Sequence, residues 1–258
     1  MQQEQLRSRL QDGLFISSMM HMTDGAYVTE RAQGACMVQI GALIVDPLDH
    51  THDPRSLLPG DYRFMVSALR REMEVIREGW DDLPVALNAA PGDHDSAVRM
   101  AQAFSESGGD IFELNCHGGY KKLLDRGLLQ AMVVTENRAS MIAWLKDLCE
   151  LNTAIVVKFN SLTPNVDFQE VLQDVASVKN LFGIHFNVRS QDGSEPNLEF
   201  VRMARKLVSG MLFCSGHVKS REQVDALVEA GADCVGIAQG VIDDPQIISR
   251  LAKESADA

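Results

Sequence analysis

The chain has 258 residues, 45% of them hydrophobic and 23% charged, with a formal net charge of -12. That length suits one (β/α)8 barrel, which typically takes about 250 residues, and the composition is that of a chain able to bury a large core. The acid excess argues against a broad nucleic-acid surface, and no stretch approaches the roughly 20 apolar residues of a membrane span.

The opening MQQEQLRSRLQDG is polar where a secretory signal would be apolar, so a cytoplasmic protein is expected. Eight short apolar, β-branched runs follow: Leu14 to Ser17, Met37 to Val45, Pro84 to Asn88, Ile111 to Asn115, Ala154 to Phe159, Phe182 to Asn187, Met211 to Ser215 and Cys234 to Ala238. Between them the apolar spacing becomes helical, over Tyr62 to Glu78, Ser96 to Ser107, Arg138 to Leu151, Phe168 to Val178, Leu198 to Val208 and Arg221 to Ala230. Eight strands alternating with helices predict a parallel sheet, and at this length a single-domain (β/α)8 TIM barrel over residues 1–258 rather than an open doubly wound sheet. Gly79, Gly108, Gly109 and Gly231 read as helix-closing glycines. The Asp, His and Pro rich segment Asp46 to Pro59 reads as a long loop on the face where barrels carry their sites.

Five cysteines, odd in number and without a C-x-x-C pair, suggest neither a disulfide framework nor a zinc knuckle. Cys36, Cys149, Cys214 and Cys234 read as core thiols. Cys116 stands apart in NCHGGYKKLLDRG (Asn115 to Gly127), at a strand end beside His117 and two glycines. Its bland reading is a thiol in a tight turn, and its sharp one an acid or nucleophile.

Barrel chemistry collects at the C-terminal ends of the strands. There the chain places Met19, Met20 and His21; Asn88; Asn115, Cys116 and His117; Lys158; His185 and Asn187; Ser215, Gly216 and His217; and Gln239 and Gly240. Amides, one lysine and four histidines with few carboxylates suit a planar heterocycle better than a hydrolytic carboxylate pair. Glycines in SGHVKS (Ser215 to Ser220) and AQGVIDD (Ala238 to Asp244), each ahead of a helix, are the usual phosphate grip of barrels. A lysine inside the apolar strand AIVVKF is costly unless employed. The four histidines could instead ligate zinc or iron, but no H-x-H pair or local carboxylate supports a metal. Lys121, Lys122 and Arg126 read as a solvated helix face that could also guide an anion.

These residues resemble the FMN-dependent barrels that include dihydrouridine synthase and dihydroorotate dehydrogenase. ISSMMHMTDGAY (Ile16 to Tyr27) is similar to the synthases' apolar-A-P-M-x-x-x-T-D opening at Met19, Thr23 and Asp24, and the likeness continues through Pro84 to Gly119, VVKF and Ser215 to Gly240. The resemblance implies FMN, with Met19, Asn88, Asn115, Lys158, His185, Asn187, Ser215, Gly216, Gln239 and Gly240 around it. The departures are specific. The family's N-x-G-C-P carries its proton-donor cysteine three residues after the asparagine, where this chain has Gly118, so the resemblance leaves Cys116 or His117 to supply a proton. IAQG stands where the family has I-G-R-G. The family's tRNA-binding helical domain has no counterpart after Asp244, which with the acidic balance argues against a tRNA substrate.

The expected function is therefore an FMN-dependent oxidoreductase acting on a C=C or C=N bond of a small pyrimidine- or pterin-like heterocycle, with Cys116, His117 and Lys158 as catalytic candidates. Two alternatives stand beside it: a non-redox barrel enzyme for another phosphorylated ligand, and a non-enzymatic barrel acting through protein contacts. Self-association is left open.

Overall fold

The computed structural model describes residues 3–254. Eight strands close into an all-parallel barrel in chain order: β1 (Gly13–Ile16), β2 (Met37–Val45), β3 (Val85–Pro91), β4 (Ile111–Cys116), β5 (Ala154–Asn160), β6 (Gly183–Asn187), β7 (Met211–Ser215) and β8 (Cys234–Ile237). β1 pairs with both β2 and β8, so no strand edge is left open. The chain is a TIM barrel, as its alternation of apolar runs predicts.

Strand geometry has a period of two, so alternate residues point into the barrel and out toward the helices. The structure has two apolar clusters that follow this split. Phe15, Met37, Ala86, Ile111, Ala154, Val156, Phe182, Met211, Phe213 and Cys234 fill the inside at the N-terminal end, while Phe112, Leu114, Cys116, Ile155, Val157, Phe159, Ile184 and Phe186 face the helices. The helix Gln3–Leu10, polar enough in sequence to pass unnoticed, closes the inner cluster with Leu6 and Leu10. Only two of its eight residues are apolar and buried, which is too few to give a periodic signal.

The six long helical segments fall within a few residues of expectation, from Tyr62–Gly79 to Arg221–Glu229. Five of the six starts are held by side-chain caps: Asp61, Asp93, Asp167, Asn197 and Ser220 each accept a backbone N–H, and Ser220 forms a capping box with Gln223, while Thr135–Leu148 begins after Val134 without one. Gly108 and Gly231 take the left-handed conformation expected of helix-closing glycines. Gly79 does not; it is the last helical residue, and a Cβ there would meet Thr29 Cγ2 at 2.7 Å, so close packing explains it. The long loop after β2 is irregular but anchored. Asp46 and His52 are buried and bonded at 2.8 Å, and Arg126 reaches the same carboxylate at 2.6 Å from the loop after β4. Among the described residues no helix is long and apolar enough to cross a membrane.

Phe15 is fully buried at the centre of the inner cluster, edge-on to both Phe213 and His185. Phe15→Ala is expected to cost about 3–5 kcal/mol, the usual toll of an aromatic deleted from a packed core, measured as a lower urea midpoint with an unchanged m-value.

Candidate active site

Above the apolar plug the inward positions change character. The same alternation that buries Ile111, Ala154, Gly183 and Met211 brings Glu113, Lys158, His185 and Ser215 into the next layers, and Asn88, Asn115 and Asn187 with them. They form one hydrogen-bonded network around Glu113. Its Oε2 accepts from His185 Nδ1 at 2.7 Å, its Oε1 accepts from Asn88 Nδ2 at 2.6 Å, and Lys158 Nζ stands 3.9 Å from Oε1. His185 Nε2 lies 2.8 Å from Ser215 Oγ. Lys158 also donates to Ser17 Oγ at 3.2 Å. Glu113, Lys158 and His185 are all buried.

Charge settles how these groups are protonated. Burial works against the Glu113 carboxylate, but the charge that His185 takes on in acid, the Lys158 charge and the hydrogen bonds from His185 and Asn88 outweigh that and hold it down at about 2. The ionised carboxylate only accepts, so Asn88 must turn its amide nitrogen to it. Asn88 Oδ1 then accepts from Asn115 Nδ2 at 2.8 Å, and Asn115 Oδ1 accepts the backbone N–H groups of His117 and Gly118 at 3.0 and 2.8 Å. Each amide keeps one N–H beyond those bonds. Burial lowers the pKa of His185, reinforced by the Lys158 charge, and burial lowers that of Lys158 against the pull of Glu113. We therefore assign His185 as neutral, protonated on Nδ1.

Over this network lies a cavity of about 300 Å³ at the C-terminal end of the barrel. Its floor and walls include Ser17, Met19, Met20, Asn88, Asn115, His117, Lys158, Asn187, Ser215 and Gly216, with Arg189, Lys219, Gln239 and Gly240 beside the ends of β6 to β8. Three of the lining residues, Lys158, Arg189 and Lys219, are basic and none is a carboxylate, but Lys158 is balanced by Glu113 at 3.9 Å and Lys219 by Asp243 at 3.3 Å. Arg189 is then the basic group at the cavity without a carboxylate partner among the described residues, and it favours an anionic ligand at that end. Asn187 Oδ1 is buried with no protein partner among the described residues, while its Nδ2 lies 3.1 Å from His117 Nε2. Burial, with the charges of Lys158 and His185, pushes His117 down to about 3, so its imidazole is neutral at pH 7.

The predicted residues divide as the strand alternation dictates. Met19, Asn88, Asn115, His117, Lys158, Asn187, Ser215, Gly216, Gln239 and Gly240 all border the cavity. His185 does not; it lies one layer beneath, fully buried between Glu113 and Ser215. Cys116 faces the opposite side of β4 from Asn115. It is fully buried, its Sγ points to Met132 Sδ at 3.7 Å, and burial raises its pKa far above the ordinary thiol range. Cys116 is thus a core thiol that cannot reach a ligand in the cavity, and Cys36, expected in the core, is only partly buried.

Other expectations also shift. Lys121 lies on a solvated helix face as expected, paired with Asp125 one turn along, whereas Lys122 and Arg126 are committed to Asp49 and Asp46 and pin the loop after β2 rather than guide an anion. The start of helix Arg221–Glu229 is satisfied by its own capping box, and the helix after β8, Gln239–Asp243, has only five residues. The anion-holding end of the cavity therefore rests on the β7 turn, with Gly216 at φ 121° and His217 at φ 60°, and on Arg189, while Lys219 beside it is paired with Asp243 at 3.3 Å. No cluster of three or more metal-binding side chains occurs among the described residues, and His21 bonds Ser56 Oγ at 2.6 Å. Thr23 and Asp24 prove structural: Thr23 Oγ1 bonds Gly41 O and Met19 N, and Asp24 caps a short helix. The residue that the strand-end inventory passed over is Glu113. A single carboxylate at an inward position of an otherwise apolar strand was its visible signal.

No protein family matches the chain, and a search of curated proteins returns no relative.

His117 gives a pH test. The folded form stays neutral to about 3 while the unfolded imidazole protonates near 6.5, so unfolding takes up a proton in that window and stability falls as pH drops from 6.5 to 3. Glu113 adds a second loss between its ordinary 4.5 and about 2. Thermal melts across this range are expected to show both losses, and His117→Gln to reduce the one that begins near 6.5, the remainder coming from His185, whose pKa burial also lowers.

Proposed function

We propose that the cavity binds FMN and that the protein is a flavin-dependent oxidoreductase, reducing or oxidising a C=C or C=N bond of a small pyrimidine- or pterin-like heterocycle. The observation that carries this reading is a cavity floor lined by one ammonium and two amide side chains: Lys158, Asn88 and Asn115 border it, and each amide keeps one N–H beyond its network bonds. Heterocycles that carry adjacent C=O and N–H groups, as flavins, pyrimidines and pterins do, suit such a lining.

The residues fit FMN in kind. Gly216, the β7 turn, Gln239 and Gly240 would hold the phosphate, with Arg189, and Lys219 on release from Asp243, offering charge where Gln239 lacks it. Met19 and Met20 supply apolar wall, and Lys158 with the two asparagines would meet the ring. When bound, the flavin supplies hydride exchange. Lys158 stabilises negative charge gained on reduction, the more so because Phe15 and Phe213 under His185 keep the floor dry. His117, neutral and tied to Asn187, positions a substrate rather than acting as a strong acid.

The cations at the β6 to β8 end also support the second reading, a different phosphorylated ligand without redox chemistry. An open cavity with Lys158, Asn88 and Asn115 in its lining, rather than one plugged by its own side chains, counts against a purely structural barrel.

Native protein is expected to show flavin absorbance near about 370 and 450 nm, or to acquire it with saturation on adding FMN. Lys158→Met is expected to weaken binding by about tenfold or more, about 1.4 kcal/mol. No bands and no saturable binding to the wild type would reject the flavin reading, and saturable binding of inorganic phosphate in the same titration would favour the second.

A further inference from the structure

Three side chains not grouped by the sequence meet beneath and beside the cavity. Ser215 Oγ lies 2.8 Å from His185 Nε2, and His185 Nδ1 lies 2.7 Å from Glu113 Oε2. They come from β7, β6 and β4, of which only β6 and β7 are neighbours in the barrel, and every one sits at an inward position. Ser215 borders the cavity while His185 and Glu113 are shielded from it. From this geometry we infer that Ser215, His185 and Glu113 form an acid–base triad in which the Ser215 hydroxyl exchanges a proton with a heterocyclic ligand in the cavity.

The directions of the hydrogen bonds follow from the acceptor-only carboxylate. Glu113 takes the Nδ1 proton, which leaves His185 Nε2 as a lone-pair acceptor, and Ser215 must then donate its O–H to it. This is the nucleophile–base–orienter arrangement by which a buried carboxylate holds an imidazole in the tautomer that withdraws a hydroxyl proton. The other groups facing His185 tune it. Phe15 lies edge-on at 5.4 Å and Phe213 at 6.4 Å, both apolar, and Lys158 beside Glu113 opposes a second positive charge. The imidazolium is thus a transient carrier, steadied by Glu113, rather than a resting state.

The triad supplies what the Cys116 placement takes away. In the oxidative direction a ligand C–H bond breaks and its proton passes to Ser215 Oγ as the Ser215 proton passes to His185 Nε2. The electron pair left behind forms the new C=C or C=N bond as hydride leaves the neighbouring atom for the flavin. Reduction runs the same steps backward. The partner hydride rests on the redox reading above; the proton path does not. Ser215 is the group that touches the ligand, and His185 and Glu113 position and load it.

An activated serine can be tested without knowing the substrate or loading a flavin. Wild-type protein treated with diisopropyl fluorophosphate is expected to form an Oγ–P bond at Ser215 as the P–F bond breaks, fluoride leaving and the serine proton passing to His185. Peptide mass spectrometry locates the adduct. Ser215→Ala is expected to abolish it, and His185→Gln to slow it by at least about a hundredfold. Nitrogen NMR of imidazole-labelled protein is expected to report His185 protonated on Nδ1 and accepting at Nε2, with Nε2 shifted in Ser215→Ala. No Ser215 adduct in the wild type, equal labelling in His185→Gln, or a proton on Nε2 would each overturn the triad. FMN titration of the same samples reads the redox proposal separately, so either can fail alone.

Discussion

One buried carboxylate sets the polarity of the whole barrel mouth. Glu113 is ionised, accepts only, and is reached from two sides. On one side it fixes Asn88, then Asn115, then the turn that carries His117 and Gly118. On the other it fixes the His185 tautomer and the orientation of the Ser215 hydroxyl. Lys158 balances its charge from β5. Reverse Glu113 to a donor and both chains lose their direction. A buried charge left without its partner typically costs about 3–5 kcal/mol, so the group must be kept as a set.

The barrel makes this set possible because its period-two alternation stacks inward residues in layers supplied by alternate strands, so that groups from β3 to β7 meet in successive layers at the mouth. Below that height the inward positions are apolar, and Phe15 and Phe213 keep water from the imidazole. Above it the lining is donor-rich and free of carboxylates. The step from apolar to charged therefore occurs within two residues along β4, between Ile111 and Glu113, and within two along β5, between Val156 and Lys158. An acidic protein thus keeps carboxylates out of its cavity lining, while its surface acids are spent on caps such as Asp61 and on surface ion pairs such as Lys121 with Asp125.

Much of this was legible in advance, for a stated reason. Eight apolar runs and six helical periods are strong signals, and Asn88, Asn115, Lys158 and Ser215 could be placed at strand ends from their distance along each run. Cys116 could have been excluded by the same counting, since it follows the inward Asn115 on β4 and must face Met132 and the helices. Glu113 was hidden because its meaning depends on partners 25 and 72 residues away, and no local window joins it to Asn88 and His185. Arg126 was misread for the same reason, its partner Asp46 lying 80 residues off. Helix Gln3–Leu10 escaped because two buried leucines suffice to close the barrel base.

The ionisation of Glu113 is the claim on which the remaining assignments stand. Protein labelled with carbon-13 at the glutamate side-chain carboxyl, with Glu113→Gln to identify the resonance, reads it directly by NMR as pH is lowered. The account predicts a Glu113 signal in the carboxylate position at neutral pH that moves only near about 2. A signal already protonated at neutral pH, or one that titrates near the ordinary 4.5, would contradict it.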